Sequence, residues 1–200
     1  MTDPMKFYFD FSSPYGYFAA QKIDETAAEF NRDVLWRPMM LGPALKETNN
    51  LPLTEQPIKG GYCKRDWDRL ARFMDVPWTM PDPFPIATLS AARAFYWIDG
   101  QNSGKAKNFA RAAFHTYFGE GRDITDAETV AAIAEPLGID RDALLAAVQD
   151  PAIKQRLKDE TGLAIEAGVF GSPFFIIDGE PFWGADRLWM IRRWLKTGGW

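Results

Sequence analysis

The residues with the clearest chemical potential lie near the N-terminus, in Ser12-Ser13-Pro14. They follow the apolar run from Lys6 to Phe11, which is bounded by turn residues and therefore predicts a buried strand. Ser13 is a good helix N-cap, and Pro14 suits the first helical turn because no N–H is needed from it there. A hydroxyl at the start of a helix lies beside unpaired N–H groups and the positive end of the helix dipole. The stretch therefore predicts a site that favours an anion, with Ser13 as its side-chain donor and Ser12 as the alternative.

The composition excludes several other kinds of site. The 200 residues carry a net charge of −4 without a run of Lys or Arg, so no nucleic-acid partner is expected. No apolar stretch has the length of a membrane-spanning helix and the N-terminus lacks the layout of a secretory signal, so we expect a cytoplasmic protein without a membrane partner. The single cysteine, Cys63, excludes an internal disulfide and a CxxC pair, and no cluster has metal-ligand spacing. We therefore expect no metal, and interpret Cys63 and His115 as packing residues.

The elements that must position Ser13 follow the order β-α-β, a block of helices, then α-β-β-α. Residues 15–30 have the spacing of one helix face, and a second strand begins at Val34. The Pro- and Gly-rich stretch 42–61 is typical of a long loop, and the pattern is helical from Tyr62 onward. Helix caps are predicted at Thr125, in a capping box, and at Asp140 and Asp150.

The C-terminal region returns to strand patterns. Residues 174–177 and 180–183 flank Asp178-Gly179, which is a type I′ hairpin signal, and a last helix follows over 186–196. Together these elements predict a mixed sheet flanked by helices, which is an α/β, thioredoxin-like fold with an inserted all-helical domain. We place the thioredoxin-like domain at residues 1–44 and 151–200, and the inserted domain with its Pro/Gly-rich leading loop at residues 45–150.

Three segments of the chain resemble a known family. Residues 9–15 are similar to the opening of kappa-class glutathione transferases and of 2-hydroxychromene-2-carboxylate isomerases, residues 168–173 to the segment that precedes their cis-proline, and residues 183–188 to the signature at their last helix. Both branches belong to the DsbA-like group, in which a CxxC motif occupies the place of Ser13-Pro14-Tyr15-Gly16. The resemblance covers essentially the whole chain, and its Val-Phe-Gly-x-Pro and Trp-Gly-x-Asp-Arg patterns look most like the isomerase.

The resemblance implies glutathione as the cofactor. The Ser13 hydroxyl would donate a hydrogen bond to the glutathione thiolate, which replaces the thiol that a CxxC motif would supply. Pro173 would be in the cis conformation, and the backbone of Val169, or next of Ser172, would pair with the cysteinyl part of the ligand. The remaining glutathione residues that the resemblance implies are Asn50, Lys59, Asp186 and Arg187, with Asp186 and Arg187 on the glutamyl amine and carboxylate.

Plain structural roles stay open for the same residues. Ser13 is then only a helix cap, Pro173 a trans strand start, Asp186 a partner of the helix dipole, and Lys59 a solvated surface residue.

The activity that the resemblance implies is a glutathione-dependent isomerisation in aromatic hydrocarbon catabolism, between 2-hydroxychromene-2-carboxylate and trans-o-hydroxybenzylidenepyruvate. It would proceed by thiolate addition, bond rotation and elimination. The partner is then a small aromatic carboxylate, with Trp67 and Phe84 along its apolar half and Lys46 or Lys59 near its carboxylate. Two alternatives remain: a kappa-class-like transferase or peroxidase, and a non-catalytic thioredoxin-like module that binds an extended peptide. The resemblance also leaves room for a homodimer.

Overall fold

The computed structural model describes residues 3–200, and one of the two inner strands of its sheet leads to Ser13. This strand, β1 (Met5–Phe9), runs parallel to β2 (Val34–Pro38) and antiparallel to β3 (Phe174–Ile177). The fourth strand, β4 (Glu180–Trp183), is antiparallel to β3, so the strand order is β2-β1-β3-β4. The mixed sheet confirms the predicted α/β class.

Ten α-helices surround this sheet within residues 3–200. Their bounds are α1 (Pro14–Ala20), α2 (Ile23–Ala28), α3 (Leu41–Glu47), α4 (Lys59–Met74), α5 (Leu89–Asp99), α6 (Ser103–Phe114), α7 (Ala127–Ala134), α8 (Arg141–Gln149), α9 (Pro151–Glu166) and α10 (Leu188–Thr197). A π-helical turn, His115–Gly119, follows α6, and short 3-10 turns lie at Leu53–Glu55, Glu135–Leu137 and Ala185–Arg187. No helix in this part of the chain is long and apolar enough to cross a membrane.

The single helix predicted over residues 15–30 is wrong, because the chain breaks between α1 and α2. Lys22 has φ −126° and ψ −15°, which lies outside the helical region. The break lets α1 pack against α4 and α6, while α2 packs against β2 and α10. One continuous apolar face could not meet both sets of neighbours.

The loop predicted over residues 42–61 is wrong at both ends, and only residues 48–58 lie outside α-helices. The helix α3 begins at Leu41, and α4 already begins at Lys59. Pro43 lies in the first turn of α3, where its missing N–H costs no helical hydrogen bond. A proline that suggested a loop therefore lies in the first turn of a helix.

The predicted hairpin turn and two of the three predicted helix caps are confirmed, and each depends only on residues that are close in sequence. Asp178 and Gly179 have φ 54° and 87°, as the type I′ hairpin requires. Asp140 and Asp150 cap α8 and α9 as predicted. The cap of α7 is Asp126 instead of Thr125, since its carboxylate accepts the N–H of Thr129 at 2.9 Å.

One aromatic core joins the sheet to the helical block. Phe9 and Phe11 are fully buried, and the ring of Phe114 in α6 lies 5.4 and 5.1 Å from theirs. Burial of one such ring contributes about 1.5–3 kcal/mol. The core therefore fixes the end of β1, and with it Ser13, against the helices. The domain boundaries at 44/45 and 150/151 stay a prediction.

Candidate active site

Ser13 caps α1 from an extended conformation, with φ −100° and ψ 112°. Its hydroxyl oxygen accepts the N–H of Gly16 at 3.1 Å, and the hydroxyl donates to the backbone carbonyl of Ser172 at 2.9 Å. The residue is only 6% exposed. Both hydrogen-bonding functions of this hydroxyl are therefore used within the protein.

Ser172 and Pro173 form the second wall of the site. Their peptide bond is cis, which confirms that prediction. The Ser172 hydroxyl oxygen accepts the backbone N–H of Asp10 at 2.9 Å. Within residues 3–200, neither the Ser172 hydroxyl proton nor its backbone N–H has a hydrogen-bond acceptor. Because Ser172 is half-buried, these two donors are available to a ligand.

Asp10 is the residue that sequence analysis missed. Its carboxylate accepts the N–H of Ser12 at 2.8 Å, the N–H of Leu41 at 2.8 Å and the hydroxyl of Thr88 at 2.9 Å. Burial raises the pKa of Asp10 more than these three hydrogen bonds lower it. The side chain thus ties the end of β1 to the start of α3 and to the segment before α5. The only signal in the sequence was an ionisable residue between Phe9 and Phe11.

Aromatic side chains line the region beside α1. The ring of Trp67 lies 5.6 Å from Phe84 and 6.0 Å from Tyr15, and the indole N–H of Trp67 is buried without a partner among the described residues. The Tyr15 hydroxyl donates to Asp66 at 2.8 Å, and burial together with this carboxylate raises the pKa of Tyr15. The structure therefore brings Trp67 and Phe84 together, next to Tyr15 of α1.

Cys63 and His115, the single cysteine and the single histidine of the chain, differ in their surroundings. Cys63 is buried, as predicted, and burial raises the pKa of its thiol although Tyr15 opposes this. His115 is exposed at the start of the π-helical turn, 3.6 Å from Glu120. The interpretation of His115 as a packing residue is therefore wrong, because it continues the exposed face of α6 that includes Gly104 and Asn108.

The backbone candidates Val169 and Ser172 are not equivalent. Val169 is buried, and its N–H already donates to the carbonyl of Ala164 at 2.9 Å. The side chain packs with Tyr8 and Phe174 in a small apolar cluster. Of the two residues, only Ser172 keeps a free backbone N–H toward the cis-proline side.

The remaining predicted residues lie at the surface. Lys46 lies in the last turn of α3, Asn50 lies in the segment after α3, and Lys59 is the first residue of α4. All three are exposed. The Asn50 amide donates to the Thr48 hydroxyl at 3.0 Å. No hydrogen bond joins any of these three residues to Ser13 in the described chain.

Asp186 and Arg187 lie closer to Ser13 in the fold. They occupy the 3-10 turn that packs against α1, and their side chains form an ion pair at 2.5 Å. The carboxylate of Asp186 is largely exposed. The pair therefore presents one charge of each sign beside the first helix.

Two cavities of the protein lie away from these residues. One of about 280 Å³ lies between α5, α6 and the start of α8, and another of about 350 Å³ lies along the outer edge of β2. Neither is lined by a predicted site residue. The candidate site lies outside both cavities, where α1, the cis-proline and the loop over residues 77–87 meet and the Ile86 N–H donates to Ser12 at 3.1 Å. We refer to this region as the groove.

Comparison with known proteins identifies the group. Residues 5–196 match the model of the DSBA-like thioredoxin domain. A 2-hydroxychromene-2-carboxylate isomerase of Sphingobium xenophagum is 32% identical over 98% of this chain and 99% of its own length. A solved structure of 2-hydroxychromene-2-carboxylate isomerase superposes with a TM-score of 0.88 at 26% identity, covering 97% of this chain and 95% of that chain.

A more distant relative belongs to the transferases. Glutathione S-transferase kappa 1 of Rattus norvegicus is 23% identical over 94% of this chain and 88% of its own length. These matches confirm both the thioredoxin-like fold and the resemblance seen in the sequence. The chain belongs to the family of proteins with a DSBA-like thioredoxin domain, and its full-length relatives there include proteins named 2-hydroxychromene-2-carboxylate isomerase.

Proposed function

We propose that this protein is a glutathione-dependent isomerase that interconverts 2-hydroxychromene-2-carboxylate and trans-o-hydroxybenzylidenepyruvate. The observation that carries the proposal is the hydroxyl of Ser13 beside the cis Ser172–Pro173 bond, in a chain whose full-length relative has that activity in its name. An alcohol at this position cannot form the disulfide of a redox enzyme. The site is therefore suited to holding a sulfur atom that arrives with a ligand.

The residues of the groove fit glutathione. Ser172 offers a free backbone N–H for strand-like pairing with a peptide, and Asp186 and Arg187 offer a carboxylate and a guanidinium to an amino-acid end group. When bound, glutathione supplies the nucleophilic thiolate for this isomerisation. Support for it as the cofactor also comes from the kappa transferase relative, whose name states that it uses glutathione.

Ser13 can stabilise a thiolate without a change in the fold. Rotation about its Cβ–Oγ bond would turn the proton from the Ser172 carbonyl toward the anion, while Gly16 continues to donate to the oxygen. A hydrogen bond to a charged acceptor contributes about 1.5–3 kcal/mol, against about 0.5–1.5 kcal/mol for a neutral pair. The hydrogen bond that Ser13 gains to the anion is therefore stronger than the one that it gives up to the carbonyl.

The second substrate would lie on the aromatic side of the groove. Phe84, which is half-buried, packs on the buried Trp67, and the two rings form an apolar wall. Lys46 and Lys59 carry the exposed positive charges that we assign to its carboxylate, with Asn50 between them in the sequence. We keep Val169 as a packing support of the cis-proline loop.

The test of this proposal is turnover of 2-hydroxychromene-2-carboxylate by enzyme that has been freed of small thiols. We expect turnover only after glutathione is added, and none with S-methylglutathione, whose sulfur cannot ionise. The controls are a generic aryl halide, which a kappa-class-like transferase would consume instead, and a hydroperoxide, which a peroxidase would reduce. Tight glutathione binding without any of these reactions would instead favour a non-catalytic peptide-binding module.

We further propose that the protein works in the cytoplasm as a homodimer, through the outer face of α4. Ile58, at the N-terminus of this helix, is 94% exposed and Phe73 in its last turn is 85% exposed. About a two-fold axis between Arg65 and Asp66, Ile58 would meet the Phe73 of a second copy. The same axis pairs Arg65 with Asp66, and Tyr62 with Arg69. The face is thus self-complementary, as a two-fold interface must be.

Replacing Phe73 with glutamate should convert a dimer to a monomer. The charge would stand opposite the exposed Ile58 of the other copy, where apolar area is removed from water. Light scattering measures the mass in solution. The matched control is Leu163→Glu, since Leu163 is an exposed leucine on α9. A monomeric wild type would contradict this part of the proposal.

A further inference from the structure

We propose that the side-chain hydroxyl of Ser172 is a second hydrogen-bond donor to the thiolate that binds beside Ser13. This inference rests on the proposed function, because glutathione brings the thiolate. Ser172 occupies the variable position of the Val-Phe-Gly-x-Pro pattern, so the family resemblance assigns its side chain no role.

The first evidence is the state of the two hydroxyl protons. The proton of Ser13 is directed at the Ser172 carbonyl at 2.9 Å. The Ser172 hydroxyl accepts a hydrogen bond from the Asp10 N–H, also at 2.9 Å, and this contact fixes the position of its oxygen. Its own proton has no acceptor elsewhere in residues 3–200. Ser172 thus holds an oriented hydroxyl with an available proton.

The second evidence is the convergence of both hydroxyls on Gly16. A methyl group built at Gly16 would stand 3.1 Å from the Ser172 oxygen and 3.4 Å from the Ser13 oxygen. In a CxxC protein this position carries the second cysteine. Here the absence of a side chain leaves both oxygens around one point at the first turn of α1.

The charges on the surrounding elements explain why a second neutral donor is needed. Asp10 lies at the end of β1, Asp66 contacts Tyr15 from α4, and the Asp186–Arg187 pair lies in the turn that packs against α1. Arg69 is paired with Asp66 and Arg187 with Asp186, so the charge of each cation is largely balanced by its own carboxylate. Any unpaired carboxylate would oppose the ionisation of a further acid. Hydroxyl and amide donors must therefore provide the stabilisation of the thiolate.

The experiment compares Ser172→Thr with Ser172→Val, which have the same shape and differ in the hydroxyl. Glutathione affinity is measured by calorimetry, and the ionisation of the bound thiol by its absorbance near 240 nm. Enzyme without glutathione is subtracted, which removes the signals of Cys63 and the tyrosines. Below the pKa of the bound thiol, we expect Ser172→Val to hold about tenfold less thiolate than Ser172→Thr.

The possible outcomes separate this inference from the proposed function. If wild type does not bind glutathione, the proposed function is wrong and this inference falls with it. If wild type binds glutathione and lowers its thiol pKa, but the Thr and Val variants ionise it equally, only the role of Ser172 is overturned. A purely structural role would lower the melting temperature of the Val variant without changing the thiol pKa. Should the Val variant not fold, Ser172→Ala replaces it in the same comparison.

Discussion

Replacing Ser13 with alanine is expected to reduce kcat/KM of the proposed isomerase by about a hundredfold, the typical effect of removing one donor to a developing anion. The variant loses the hydroxyl that faces the cis Ser172–Pro173 bond. The pKa of bound glutathione should rise in parallel, because the thiolate loses a charge-assisted hydrogen bond. Steady-state kinetics over a range of pH, together with absorbance titration of the bound thiol, measure both effects.

The cap that Ser13 provides for α1 is a separate contribution, and its loss costs about 1 kcal/mol of folding stability. A matched control is Ser12→Ala, which removes the neighbouring hydroxyl, whose oxygen accepts the Ile86 N–H instead. Equal losses of activity in the two variants would contradict the specific role of Ser13. The role would also be contradicted if Ser13→Ala lowered the melting temperature but left the turnover and the ionisation of the bound thiol unchanged.

The parts of this fold that the sequence predicts are those whose causes are local. The hairpin of β3 and β4 follows from an apolar run on one side of Asp178-Gly179, where both residues adopt positive φ. The Ser13 cap likewise depends on a contact only three residues away, with Gly16. Such features need no knowledge of the rest of the chain.

The features that sequence analysis misses depend on contacts between distant segments. The helix α3 begins at Leu41, whose N–H donates to the carboxylate of Asp10, 31 residues earlier. The break between α1 and α2 serves two different sets of neighbours. Spacing along the chain carries no record of either contact, so a Pro- and Gly-rich stretch was predicted to be a loop.

The site shows the same division. Ser13 and Pro173 can be predicted from their motifs, because the motif itself fixes their place in the fold. The choice between Val169 and Ser172 cannot, since it depends on the Val169 N–H already being bonded to Ala164. Neither can the Thr88 contact to Asp10, which joins residues 78 positions apart.

Asp10→Ala is expected to be among the most destabilising single changes near the site. It would leave the N–H groups of Ser12 and Leu41 and the hydroxyl of Thr88 without their acceptor. An unsatisfied buried donor costs about 1–3 kcal/mol, and partial rehydration of the three would leave a loss of about 3 kcal/mol. For a chain of 200 residues this lowers the melting temperature by about 6–12 °C. Calorimetry or circular dichroism measures the shift.

Asp10→Asn supplies the matched control and separates charge from hydrogen bonding. Its amide keeps one oxygen as an acceptor, so the loss of stability should be smaller than in Asp10→Ala. Burial raises the pKa of Asp10 in the folded protein, so the folded state holds this proton more readily than the unfolded chain does. The contribution of Asp10 to stability is therefore greatest below its unfolded pKa and declines as pH rises through the folded pKa. The free energy of unfolding of wild type should accordingly fall relative to that of Asp10→Asn as pH rises from the acid range. If it rises instead, the buried carboxyl is held as a stabilised anion.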